Sequence, residues 1–392
     1  MKGLKFAFLA FLISLSLGQL GRIPLPQKEI GLYVPDILLT LIILGYFFSL
    51  FKSRKSFPRI SLFRPITSFI LISFLSLVLS LRLFGNKEIF IGGLYFIRWI
   101  AYAFVYFVSF GIARVFGKES VIKVLVLTGT ILALVGFLQL LVFPDFSFMT
   151  SLGWDPHYYR LLSTFFDPNF CGGFFVLVLS LLVSLYLFQP RRILLFLSMV
   201  VYLALLLTYS RSSYFAFLLS MLVIGALKEK KVFLIALLVF AVSFQLNPRV
   251  KTRVEGAITV DESASHRRTS WENAWVVIKK HPLFGVGFNN YRYGQLRYGL
   301  VDPESLGGHA GAGVDSSLLF VWATTGIFGL LVYLWVLGKA AFLSYLKAKK
   351  DPLSLAFLSS IFGLLFHSQF VNSLFFPPIM AYLWTFLGLS ER

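Results

Sequence analysis

The chain has 392 residues, 58% of them hydrophobic and 14% charged, far below the roughly one quarter charged of a soluble domain, so it reads as a polytopic membrane protein. Its net charge of +19 would suggest nucleic acid in a soluble protein, but the Lys and Arg residues sit mainly in short loops between apolar segments, where bilayer orientation accounts for most of them and no nucleic acid is expected. The single cysteine, Cys171, excludes an intrachain disulfide and a cysteine-based metal site.

Residues 1–21 have a short basic start (Lys2, Lys5) and an apolar run that is read as the first span rather than as a cleaved signal peptide. Further spans are expected at 30–51, 66–84, 89–115, 121–143 and 170–188, with a polar and aromatic loop at 144–168. The stretch 193–228 is too long for one crossing of a core about 30 Å thick at about 1.5 Å per residue. Both its ends are basic and Tyr209-Ser210-Arg211-Ser212-Ser213 interrupts it, so it is read as two helices meeting at Arg211. Residues 232–246 make a ninth span, and 317–346, 353–371 and 374–389 make the last three. The predicted fold is all-α, with about twelve transmembrane helices and both termini cytoplasmic. Residues 1–247 hold helices 1–9, 248–315 form a structured periplasmic loop with short helices, and 316–392 hold helices 10–12.

The long polar stretch is where chemistry is expected. Trp271, Trp275, Val276, Val277 and Ile278 give it a helix with an apolar face, followed by a turn in which Gly285 and Gly287 are read as turn formers. Arg211 has two readings: it snorkels to lipid headgroups, or it grips a lipid diphosphate with its planar fork. His266, Arg267 and Arg268 precede the helix. Alone they are an ordinary surface, but with Arg211 and Arg160 on the same face they make a candidate anion site able to neutralise a leaving diphosphate without a metal. Asp315 opens the tenth helix, where it can be an N-cap, a catalytic base, or both. The arginines around it are expected to hold it ionised. His309, among glycines, competes for the role of base with its near-neutral intrinsic pKa. Arg98, inside the fourth span, must face the bundle interior or a polar cavity, either as a structural residue or along a lipid-phosphate path. Glu29 and Asp155 are lone outer-face carboxylates, and no cofactor is implied.

Taken together, these motifs resemble the O-antigen ligase and O-antigen polymerase family of bacterial inner-membrane glycosyltransferases. Thr208-Tyr209-Ser210-Arg211 looks like that family's T-x-S-R motif, and Arg267-x-x-x-Trp271 followed by His281-Pro282-Leu283-Phe284-Gly285-Val286-Gly287-Phe288-Asn289-Asn290 is similar to its R-x-x-x-W and Gly-rich run. Ser163-Thr164-Phe165-Phe166-Asp167-Pro168-Asn169 looks like a further segment, and Asp315-Ser316-Ser317 stands where ligases of the family usually have a histidine.

The resemblance implies a GT-C-type membrane fold and transfer of a glycan from undecaprenyl diphosphate to an acceptor hydroxyl at the periplasmic face of the inner membrane. The acceptor is lipid A-core sugar in ligases and another lipid-linked repeat in polymerases. It implies metal independence and two arginines on the diphosphate, by position Arg211 and Arg267. The rival class is a transporter or flippase of lipid-linked oligosaccharides. A flippase would carry polar residues deep in many spans and little outer structure, the reverse of the pattern in this chain.

Overall fold

A computed structural model of the chain describes residues 2–27, 29–52, 60–256, 262–303 and 313–391. Among the described residues the structure is all-α apart from one two-residue strand pair and a single bridge between Asp145 and Tyr158. The first helices are α1 (Lys2–Ser14), α2 (Val34–Lys52), α3 (Phe63–Leu79), α4 (Asn86–Phe116), α5 (Glu119–Val142) and α6 (Pro168–Phe188). Next come α7 (Arg192–Leu207), α8 (Arg211–Leu227) and α9 (Lys230–Leu246), then three helices of the polar stretch, α10 (Pro248–Glu255), α11 (Glu262–Lys280) and α12 (Tyr291–Arg297). The last are α13 (Ser317–Lys347), α14 (Pro352–His367) and α15 (Pro377–Ser390). Strands β1 (Arg22–Ile23) and β2 (Leu32–Tyr33) pair antiparallel between α1 and α2, with Arg22 opposite Tyr33.

Apolar helices thus stand at each of the twelve expected positions. Among the described residues, seven are long and apolar enough to cross a membrane unaided, and α9 with α10, bent by 103°, makes an eighth if taken as one span. The outer surface carries large exposed apolar side chains, including Phe48, Leu141, Phe196 and Leu238, while one continuous core fills the interior. A bundle wet on all sides would not leave such surface open, so this is the exterior of a membrane protein. Helix α15 packs chiefly on α4, and α14 on α8 and α6.

Local chemistry sets the helix starts. Asp167 Oδ1 accepts from the N–H groups of Asn169 (2.7 Å) and Phe170 (3.0 Å), with Pro168 at the first turn of α6. Asn247 does the same for α10, restarting the chain at the sharp bend that follows α9. Ser316, not Asp315, caps α13: its Oγ accepts from Leu319 N–H, which releases the Asp315 carboxylate from the capping role the sequence allowed it.

The Gly-rich turn after α11 docks backbone to backbone on a break in α13. Gly326 lies at φ 70°, and Ile327 N–H reaches the Pro282 carbonyl at 2.8 Å, while Val286 and Gly287 N–H groups reach Ala323 and Thr324 carbonyls at 2.9 and 3.0 Å. A Cβ on Gly285, at φ 69°, would stand 2.4 Å from the Thr324 carbonyl carbon, and one on Gly326 would stand 2.0 Å from the Leu283 oxygen. Ser76 Oγ ties the joint to α3 through the Phe284 (2.6 Å) and Thr324 (2.7 Å) carbonyls. The polar stretch is therefore pinned to the bundle through α13 and α3.

Candidate functional site

One cavity of about 1220 Å³ gathers residues from the hairpin and α4, the loop before α6, α10, α11, α12, the start of α13 and the turn after α14. Asp315 and Arg267 both line it. Helix α11 explains how they meet. Its buried Ala274, Val277 and Ile278 pack on the start of α13, so the helix face bearing Ser270 and Trp271 turns toward residue 315. Ser270 Oγ accepts from Asp315 N–H (3.0 Å), and Trp271 Nε1 donates to the Asp315 carbonyl (3.0 Å). Arg267 sits one turn before Trp271, on the same face of the helix. The four-residue spacing of the Arg and Trp is thus the spacing that brings a guanidinium to a carboxylate whose backbone the indole holds.

The charge balance at Asp315 is set first by burial. Burial pushes its carboxyl up to about 6; Arg267 opposes the rise, Asp167 and Asp155 add to it, and His266 opposes it. Desolvation here outweighs the neighbouring cations, because the acid is enclosed between α11 and α13. The result is a carboxylate basic enough to take a proton near neutral pH, and still ionised there.

The cavity wall near Asp167 is rich in arginine: Arg160, Arg249, Arg253 and Arg267 all line it. Arg160 Nε donates to the Thr208 carbonyl (2.9 Å) and its Nη2 to the Tyr209 carbonyl (3.3 Å), so it clamps the turn between α7 and α8. Burial first, and Arg253 next, pull Arg160 down to about 9. Arg249 donates to the carbonyls of Tyr158 and Tyr159 and stacks over the Tyr209 ring, 4.6 Å from its centroid. His157 is pushed down to about 4 by burial and then by Arg160, so it is neutral beside them. Cations gathered at one wall in this way favour an anion beside them.

The other expected residues are distributed as follows. Arg211 opens α8, and its Nη1 donates to the Gly256 carbonyl; it is not part of the cavity wall, although its neighbour Ser210 bonds a residue that is. Arg268 faces away, on an exposed pair with Glu272 at 2.9 Å. Arg98 lines the cavity with its guanidinium bonded to Asp36 (2.5 Å) and to the Gly31 carbonyl. His309 lies outside the described residues.

The sequence reading missed a polar relay across three helices. Fully buried His367 Nε2 lies 3.2 Å from Ser213 Oγ, which donates to Ser210 Oγ (2.9 Å), which donates to Asn169 Oδ1 (2.9 Å). With its oxygen occupied, Asn169 has its amide N–H groups left for the cavity it lines. Gly172 and Gly173 of α6 make room for the relay, since a Cβ on Gly172 would stand 2.2 Å from Ser213 Oγ. Single serines and one histidine inside apolar spans gave no local signal of this.

Backbone strain marks the same segments. Among the described residues, the non-glycine residues at positive φ are Tyr159, Ser163 and Phe166 before α6, Tyr209 between α7 and α8, and Asn289 in the Gly-rich turn. Strained backbone tends to concentrate at functional sites, where the surroundings over-determine it.

A search of the curated proteins found no match. The family model described as O-Antigen ligase matches residues 194–334, a run from α7 into α13 that holds Arg211, Arg267, Trp271 and Asp315. Over that stretch the chain is similar to the O-antigen ligases, the family that its motifs resemble.

Proposed function

We propose that the protein transfers a glycan from undecaprenyl diphosphate to an acceptor sugar hydroxyl at the periplasmic face of the bacterial inner membrane. The acceptor is lipid A-core or another lipid-linked repeat. In this reading all twelve apolar helices cross the bilayer, in a GT-C-type arrangement with both termini cytoplasmic. The family match supports an enzyme of the O-antigen ligase or polymerase type in general. The observation that carries the finer reading is the meeting of Asp315 with Arg267 in one cavity, beside a cluster of further arginines.

Arg267 holds the donor diphosphate from the cavity wall; Arg211, which in this structure stands outside that wall on the Gly256 carbonyl, joins it by turning inward when donor binds, and Arg160 keeps the turn that carries Arg211 in shape. Asn169 supplies amide donors at the same end. The acceptor hydroxyl passes its proton to the Asp315 carboxylate while its oxygen bonds the anomeric carbon. The bond from that carbon to the diphosphate oxygen breaks, and the electron pair leaves on the diphosphate, whose charge the arginines neutralise. Purified protein given a lipid-linked glycan donor, with lipid A-core or a second lipid-linked unit as acceptor, tests this. A glycosylated product is expected, and movement of intact donor across the bilayer without product would favour a flippase instead.

A further inference from the structure

The part of the cavity formed by the β1–β2 hairpin, α4 and α12 has Arg22, Arg98 and Arg292 in its lining, and sets against them the Glu29 carboxylate and the rings of Tyr33, Tyr95 and Trp99. Arg98 lines it but is spent: it is bonded to Asp36 at 2.5 Å and to the Gly31 carbonyl, with Tyr33 and Tyr95 rings against it at 5.6 and 5.2 Å. Tyr102 Oη also donates to Asp36, at 3.2 Å. A cation so paired does not recruit a second anion. The hairpin itself is fixed without help from Glu29's carboxylate: Tyr95 Oη donates to the Glu29 carbonyl (2.9 Å) and accepts from Gly31 N–H (3.2 Å), and Tyr33 N–H donates to Asp36 (3.0 Å).

That leaves the Glu29 carboxylate to be explained. Its side chain is 17% exposed and lines the cavity; Oε2 accepts from Tyr293 Oη at 2.8 Å, and Oε1 from the mostly exposed Lys87 at 3.5 Å. A carboxylate offers about four acceptor positions, and contacts among the described residues use two. The exposed lysine pair is worth little to the fold. Two open acceptor positions on a rigid carboxylate, beside the rings of Tyr33, Tyr95 and Trp99, suit adjacent hydroxyls and an apolar sugar face.

Helix α12 links this region to the reacting group. Tyr293 of α12 holds Glu29, while Tyr291, two residues earlier, is within electrostatic reach of Asp315. Asp315 in turn feels Arg267, Asp167 and Asp155. Asp315 and Glu29 line the same cavity, with α12 between the hairpin and the start of α13.

We propose that Glu29, set by Tyr293 and flanked by Tyr33 and Tyr95, forms the acceptor subsite, which takes an uncharged sugar ring through two of its hydroxyls. This rests on the transfer reaction proposed above and adds which wall each substrate occupies. The test compares wild type with Glu29→Gln and Tyr293→Phe in steady-state transfer, varying donor and acceptor separately, with lipid A-core in one arm and a second lipid-linked glycan in the other. Glutamine removes the charge and part of the acceptor capacity, so the KM for the arm's active acceptor should rise about tenfold, with a smaller rise for Tyr293→Phe and the donor KM unchanged. An unchanged acceptor KM, or a raised donor KM, overturns the subsite. The arm that responds identifies the acceptor. Should wild type elongate neither acceptor, the transfer reading falls, and binding of lipid A-core oligosaccharide to the purified protein judges the subsite alone: weaker binding by both variants supports it, and equal or no binding overturns it.

Discussion

The indole N–H of Trp271 donates to the backbone carbonyl of Asp315 at 3.0 Å, while Ser270, its neighbour on α11, accepts from the N–H of the same residue. One turn of helix thus holds both backbone polar groups of the proposed base. The carboxylate itself is left to face the cavity, since Ser316 does the capping of α13.

Trp271→Phe keeps the ring packing against Phe370 (5.9 Å between centroids) but removes the donor. Loss of one partly buried hydrogen bond should cost about 1 kcal/mol of stability. A base displaced by a fraction of an ångström should lower kcat by about tenfold or more while leaving the donor KM in place. Thermal unfolding and steady-state transfer check the two halves separately, and an unchanged kcat would mean that the indole only supports the fold.

Arg267→Ala and Arg211→Ala should each abolish transfer while leaving membrane insertion intact. Lysine should restore little, because a point charge lacks the planar two-pronged grip on a diphosphate. Binding of the lipid diphosphate measures this directly. Retained transfer by Arg211→Ala would confine its role to the Gly256 contact it makes in this structure.

Gly326→Ala should unfold or misassemble the outer structure. The added Cβ would sit 2.0 Å from the Leu283 oxygen at a backbone φ of 70°, so relief requires separating α13 from the Gly-rich turn. Strain and lost backbone bonds together should cost on the order of 3 kcal/mol or more. Yield of folded protein and its melting temperature report it; near-normal values would mean that the joint is adaptable.

The orientation proposed for the bundle has its own check. In a Cys171→Ser background, single cysteines replacing Arg267 and Asp315 should react from outside the cell with an impermeant maleimide, and one replacing Lys230 should not. Labelling at 230 or protection at 267 would reverse the topology. Cys171 must be removed first, although it is buried with its thiol bonded to the Leu162 carbonyl.

What the sequence made legible was local. Apolar runs specify helices wherever a bilayer demands internal backbone bonding, and the Asp167-Pro168, Asn247-Pro248 and Asp351-Pro352 pairs mark helix starts by short-range chemistry. The spacing of Arg267 and Trp271 could be read as one helix face. Which of Asp315 and Ser316 would cap α13 could not, since both residues suit that position. The contacts that need distant partners were silent: Arg160 on the Thr208 and Tyr209 carbonyls, His367 on Ser213, and Tyr293 on Glu29. The burial that pushes the Asp315 carboxyl up depends on the fold, so only the arginines that oppose it were visible in the chain.

The most direct test of the account is the pH–rate profile of glycan transfer by wild type, Asp315→Asn and His309→Ala, each with and without EDTA. Burial raises the Asp315 carboxyl to about 6, so wild-type activity should be full above that pH and fall about tenfold per unit below it, as the base becomes protonated. Asparagine cannot take the proton, so Asp315→Asn should lose roughly a hundredfold or more at neutral pH and lose the acid limb with it. His309→Ala should keep the wild-type profile, and EDTA should change neither. A normal rate for Asp315→Asn with a dead His309→Ala would transfer the base to His309, and activity that EDTA stops and a divalent ion restores would contradict the arginine-only account of the leaving diphosphate.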